Sequence, residues 1–305
     1  MANQPHHRAF AVTVGWTLLL LFLGSVVHAT GSSLACPDWP TCFGTMVPEM
    51  EGGVFWEHLH RLVAGGLIVM FALAIWLTHQ HAPPEHRWVV RASWAGLALL
   101  LVQAVFGGLT VLWELPDLLS TTHLALAFLF LILAVTLAAV TSPRRAARSA
   151  LDAGTRRLLG RPATIVTELV FMQSLLGAWV RHTDAGMVCG TGLLCNGALI
   201  PTAWSPFIAV QFLHRAVGIA TAVVVVALAV PLTTSARPGH VRVAAGLALA
   251  LVLAQVTVGF LSVSSILAVV PVSLHTLGAA ALMAVVALLA TWGRMRDPER
   301  SGVGA

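Results

Sequence analysis

Eight apolar stretches, each of about 20 residues, dominate this chain. They lie near 10–28, 57–79, 92–112, 121–141, 162–181, 207–232, 243–263 and 269–292. Each is long enough to cross the hydrocarbon core of a bilayer as a helix, which satisfies its own backbone hydrogen bonds where no water can. The composition agrees. Of 305 residues, 58% are hydrophobic and only 10% charged, more apolar surface than a soluble fold of this size can hide. The expected fold class is therefore an all-α integral membrane protein with eight transmembrane helices.

An even number of spans puts both termini on one face. All but three of the 17 basic residues, every one an arginine, fall on that face. They are Arg8, Arg87, Arg91, Arg144, Arg145, Arg148, Arg156, Arg157, Arg161, Arg237, Arg242, Arg294, Arg296 and Arg300. The positive-inside rule makes that face cytoplasmic. A multi-pass protein of the cell (plasma) membrane with both termini cytoplasmic follows. The net charge of +5 reports topology and not a nucleic-acid partner. With no lysine and no tyrosine, Schiff-base and P-loop lysine chemistry and tyrosyl radicals are excluded. The first apolar run resembles a signal peptide, but its counterpart in the second half argues that it is retained.

That counterpart belongs to an internal repeat. Cys36 and Cys42 recur as Cys189 and Cys195, at nearly the same offset as every other landmark. Glu57-His58-Leu59-His60-Arg61 recurs as Gln211-Phe212-Leu213-His214-Arg215, and His123 recurs as His275. Gln103 with Gly107 matches Gln255 with Gly259. Each half holds four spans, so the halves share one orientation and are related by an axis along the membrane normal. The expected organisation is two tandem, pseudo-twofold-related four-helix bundles, residues 1–141 and 162–305, joined by a basic cytoplasmic linker over 142–161.

His60 and His214 sit just inside the outer ends of their helices, as do His123 and His275. Two histidines at one depth on separate helices of a bundle make a cofactor site. Two neutral imidazoles satisfy the axial positions of a heme iron. Interhelical hydrogen bonding accounts for a lone intramembrane histidine, but four in two matched pairs favour ligation, since ionisable groups in a bilayer default to function. Glu57-x-x-His60 has the spacing of di-iron bundles, but those need further inward acids. Zinc would want a third ligand and usually thiolates.

Around these pairs stand several secondary candidates. Arg61 and Arg215 follow the histidines and are candidates for heme propionates, with interfacial snorkelling the alternative. Glu57 lies one turn before His60, whereas its counterpart Gln211 cannot ionise. That asymmetry suggests a reactive site in the first half and an electron-carrying site in the second. Cys36 with Cys42, and Cys189 with Cys195, close short loops on the oxidising face, where structural disulfides persist; thiol–disulfide exchange is the alternative. His28 and His182 read as interfacial polar residues. Gln103, Gln173 and Gln255, each four residues before a glycine, read as helix-packing contacts. Glu168 has no assigned role.

Cys36-Pro-Asp-Trp-Pro-x-Cys42 followed by Glu57-x-x-His60-Arg61-Leu62-Val63-Ala64-Gly65 resembles the heme A synthase family. The likeness extends over nearly the whole chain. Cysteine pairs in both outer loops resemble the bacterial type found in Gram-positive organisms. The resemblance implies conversion of heme O to heme A for terminal oxidases, the methyl at porphyrin carbon 8 becoming a formyl group through a hydroxylated heme intermediate. It further implies that His60 and His123 flank the substrate heme, that His214 and His275 bind heme b as cofactor, and that Glu57 is catalytic. Heme O synthase and cytochrome oxidase assembly factors are the candidate partners, and a homo-oligomer is compatible with the sequence.

Rival readings share part of this pattern. A diheme b-type membrane cytochrome acting only in electron transfer needs the four histidines but not the Glu57/Gln211 difference. A membrane thiol oxidoreductase needs the cysteines but not the histidines. A non-catalytic heme carrier needs neither Glu57 nor turnover.

Overall fold

A computed structural model of the chain describes residues 5–81, 87–145 and 149–295. Arg148, Arg296 and Arg300 lie outside the described residues. The helices are α1 (Pro5–Ala29), α2 (Gly52–His81), α3 (Arg87–Leu112), α4 (Asp117–Val140), α5 (Ala153–Leu159), α6 (Arg161–His182), α7 (Pro206–Ala229), α8 (Gly239–Ser264) and α9 (Val269–Arg294). With α5 running into α6, the described residues hold 8 spans long and apolar enough to cross a membrane. No strand occurs among the described residues; two isolated bridges, Cys42 with Thr45 and Cys195 with Ala198, close the outer loops. The protein is an all-α, multi-pass membrane protein.

The helices outrun the apolar stretches because their ends reach headgroup depth, where polar side chains are tolerated. Thus α2 begins at Gly52, ahead of its apolar run, and carries Glu57 inside the helix. Ser205 caps α7, its hydroxyl accepting from the Ile208 N–H at 3.2 Å, with Pro206 in the first turn. At the other end Pro231 cannot donate to the helical ladder, and α7 tightens into a 3₁₀ turn over Val230–Leu232.

The expected linker over 142–161 is more than a connector. Asp152 caps α5 by accepting from the Thr155 N–H at 2.8 Å. Leu159 is fully buried, and α5 packs on α6 and α9. Arg156 donates to the Met295 carbonyl (2.7 Å) and the Ser149 carbonyl (2.6 Å), while Arg237 reaches Asp152 at 3.2 Å.

Helices α1 to α4 form a ring in which α1 packs on α2 and α4, and α3 on α2 and α4. Helices α6 to α9 form a second ring with the same neighbours in the same order. The rings meet where α1 packs on α9 and α4 packs on α6 and α9. Lipid is as apolar as leucine, so this seam is held by close packing more than by removal from water. Within the first ring Phe71 packs α2 against α1 and α4, lying 6.0 Å from Phe10 and 5.0 Å from Phe130 between ring centres. The outward faces of α3 and α8 expose Leu101, Val105, Leu253 and Val256. Exposed Trp88, Trp113 and Trp204 stand near helix ends, as in an interfacial aromatic belt.

Candidate functional site

The first ring encloses a cavity of about 440 Å³. Its wall includes His60 from α2 and His123 from α4, both about two turns in from the N-terminal ends of their helices. Each imidazole lies over a glycine of the adjacent helix. A Cβ on Gly24 would stand 3.1 Å from His60 Cε1, and one on Gly107 would stand 2.9 Å from His123 Cε1. His123 Nδ1 is 3.0 Å from the Gln103 carbonyl. A carbonyl only accepts, so the proton sits on Nδ1, and the Nε2 lone pair meets only a long 3.4 Å contact from the Gln103 side-chain amide, which a ligand could displace. His60 Nδ1 is buried with no hydrogen-bond partner.

The second ring repeats the device. A Cβ on Gly177 would approach His214 Cε1 to 2.8 Å, and one on Gly259 would approach His275 Cε1 to 2.9 Å. Gln173 Nε2 lies 2.9 Å from His214 Nδ1 and donates to the His214 carbonyl, also at 2.9 Å. The glutamine-to-glycine spacing read as helix packing is thus a histidine mount: the glycine clears room for the ring and the glutamine orients it. Gly24 completes the set with Leu20 where Gln173 stands in the second half, so the spacing of glutamines alone could not reveal it.

Both expected disulfides are present, Cys36–Cys42 and Cys189–Cys195. Glu57 is buried and lines the cavity. One carboxylate oxygen pairs with Arg61 at 2.5 Å, and the other accepts from the Cys36 N–H at 2.8 Å. Arg61 also donates to the carbonyls of Asp38 (2.6 Å), Thr41 and Cys36 (3.4 Å). Arg215 does the same in the second loop, donating to Gly192 (3.0 Å), Leu193 (3.2 Å) and Gly190 (3.4 Å). Both arginines therefore staple a disulfide loop to the helix that bears the histidine. Gln211 adds a hydrogen bond to the Gly186 carbonyl at 2.9 Å. The difference lies in charge: Glu57 offsets Arg61, while Arg215 has no carboxylate partner among the described residues.

Asp38 organises the first loop. Its carboxylate accepts from the Thr41 hydroxyl and from the N–H groups of Phe43 (2.6 Å) and Gly44 (2.9 Å). The Thr41 hydroxyl, then the Gly44 N–H, hold its carboxyl below the usual carboxylate range. These bonds stabilise a turn in which Phe43 and Gly44 both have positive φ, a conformation a phenylalanine rarely adopts unaided. His58 packs beneath the loop, its Nε2 2.9 Å from the Met46 carbonyl. One of its ring nitrogens and both loop sulfurs lie within 4.8 Å of one another, but the sulfurs are joined and offer no thiolate.

His28 and His182 stand in the last turns of α1 and α6, and they also meet each other where the two rings join, 5.5 Å apart and edge to face. Both line the first cavity, together with Arg181. Glu168 lies at the opposite face, in a separate hollow it shares with Arg145 and Arg294.

Comparison with known proteins places these features in one family. The family model described as COX15-CtaA, cytochrome oxidase assembly protein, matches residues 7–287. A heme A synthase of Symbiobacterium thermophilum is 32% identical over 270 residues, covering 85% of this chain and 86% of its relative. Heme A synthases of Shouchella clausii and Geobacillus kaustophilus are 29% and 30% identical over 262 and 266 residues. These cover 83% and 81% of this chain, and 84% and 79% of the relatives. The chain belongs to the COX15-CtaA family of cytochrome oxidase assembly proteins.

Proposed function

We propose that this chain is a heme A synthase, an oxidoreductase that converts the C8 methyl of heme O to a formyl group. The substrate is held in the first half between His60 and His123, and heme b is held in the second between His214 and His275. The observation that carries this reading is a duplicated histidine mount in which one copy alone has an acid beside it. All four imidazoles rest on glycines, and among the described residues the buried carboxylate is Glu57, which shares the cavity of the first pair. The relatives' shared name supports the reaction class.

The second half suits a resident heme. Arg215 has no carboxylate partner among the described residues, which suits it to a propionate. Heme b bound there would supply one-electron transfer. In the first half His60 and His123 orient the substrate. Glu57, held between Arg61 and the Cys36 N–H, supplies a fixed negative charge or a proton acceptor near the methyl carbon as it is oxidised. In a site shielded from water such a charge acts more strongly than in solution. The loop closed by Cys36–Cys42 covers this site. The two rings would be copies of one four-helix unit in the plasma membrane, with both termini and the arginine-rich face in the cytoplasm.

A diheme electron carrier would use the four histidines without needing Glu57. Expressing the chain in cells that supply heme O, then extracting its pigments, separates the two. Heme A or its alcohol precursor is the expected product; heme b alone would favour the carrier.

A further inference from the structure

The seam between the rings holds a cation to which the chemistry above assigns no task. Arg181, in the last turn of α6, belongs to the second ring but lines the cavity of the first. Its guanidinium donates across the seam to the Ser25 carbonyl (3.2 Å) and hydroxyl (3.4 Å). No carboxylate pairs with it among the described residues. The other arginine in the cavity wall, Arg61, is offset by Glu57 and occupied by loop carbonyls. His182 follows Arg181, its Nδ1 2.9 Å from the Thr121 hydroxyl, and His28 packs on it from α1. Val27 precedes His28 as Arg181 precedes His182, so the second ring has no matching cation.

A half-buried guanidinium without a counter-ion is held against a desolvation cost that an incoming anion removes. Its planar donor fork matches a carboxylate. We propose that Arg181, flanked by His28 and His182, anchors a carboxylate of the molecule taken into the first cavity. Resting on the heme O reading, that carboxylate is a porphyrin propionate. Anchoring it there restricts rotation of the macrocycle about its axial ligands, so that one ring position is offered to Glu57. Arg181 is then a positioning residue contributed by the second half to the reaction of the first.

The test titrates ferric protoporphyrin IX and its dimethyl ester into the full-length protein as purified, following the binding that His60→Ala abolishes. The free acid should bind more tightly than the ester. Arg181→Met should weaken the free acid by roughly tenfold to a hundredfold, the scale of a charge-assisted hydrogen bond. Arg181→Lys should lose less, and ester binding should not respond to either variant. Unchanged free-acid binding in Arg181→Met, or equal losses for acid and ester in both variants, overturns the anchor. Binding that ignores both His60→Ala and His123→Ala overturns the first-half heme site itself, a distinct result.

Discussion

Glu57 and Arg61 stand one helical turn apart on α2 and are joined at 2.5 Å beneath the first disulfide loop. The same two side chains grip Cys36, whose N–H donates to Glu57 and whose carbonyl accepts from Arg61. The acid, the loop and the helix that bears His60 are therefore one mechanical unit. Gln211 and Arg215 brace the second loop from matching positions without a negative charge. The first half joins to its brace a carboxylate that the second lacks at the matching position.

Arg61→Met should be costly, because it leaves Glu57 buried without its counter-charge and frees the loop carbonyls. Breaking a buried pair from one side costs about 3–5 kcal/mol, which should appear as a lower unfolding midpoint. Adding Glu57→Gln to Arg61→Met should recover part of the loss in a double-mutant cycle. Strictly additive losses would show that the pair is not coupled. Arg215→Met, with no acid beside it, should cost less than Arg61→Met.

The histidine mounts predict a sharp difference between glycines. A Cβ at Gly259 would enter the space of His275, and one at Gly177 that of His214. Gly259→Ala and Gly177→Ala should each weaken the low-spin heme spectrum assigned to the second half. Gly246, on α8 like Gly259, has open space around its Cβ position. Gly246→Ala should leave the spectrum unchanged and, by helix propensity, shift stability upward by up to about 1 kcal/mol. Equal spectra in all three variants would contradict the mounting role.

Replacing His214 or His275 with alanine should abolish the stable bis-histidine signal while His60 and His123 are intact. Absorption and electron paramagnetic resonance spectra of the purified variants check this. A full signal in both variants would move the resident heme elsewhere.

Asp38 makes the first loop sensitive to acid. Its carboxyl is held below the usual range by Thr41 and Gly44. A depressed folded value means that its stabilisation is present above the unfolded value of about 3.9 and is lost as pH falls through the folded value. Reduction of Cys36–Cys42 by a phosphine should therefore accelerate below the ordinary aspartate range. Cys189–Cys195, whose loop carries Thr191 at the matching position, should show no such step. Asp38→Asn should remove the step from the first loop.

Much of this architecture was legible in the sequence because bilayer physics leaves few choices. Runs of apolar residues mark spans, and the arginines at Arg8, Arg87 and Arg242 mark one face. His60, His123, His214 and His275 stood out because polar residues are rare at such depth, and the cysteine spacing foretold both disulfides. What escaped notice depends on contacts between distant segments. Nothing local distinguishes Gly24 from a packing glycine until His60 is seen across it. The pairing of His28 with His182 requires knowing that α1 and α6 flank one seam. Arg61 and Arg215 are legible as propionate candidates, but their added role as loop staples appears only where loop carbonyls fold back on α2 and α7. Leu159 lies within a stretch whose arginines make it look like a plain linker, although it is buried and helps to dock α5 together with Thr155 and Arg156.

The most direct test of the account is turnover by the Glu57→Gln variant, measured as heme A formed per bound heme when heme O is supplied. Glutamine reproduces what the second half already carries at Gln211, and its side-chain carbonyl can still accept from the Cys36 N–H. The account predicts that heme binding and both disulfides persist while conversion falls by about 10²-fold or more, the usual size of a general acid–base or electrostatic contribution. Near-normal conversion by Glu57→Gln would contradict it and place the chemistry on other residues.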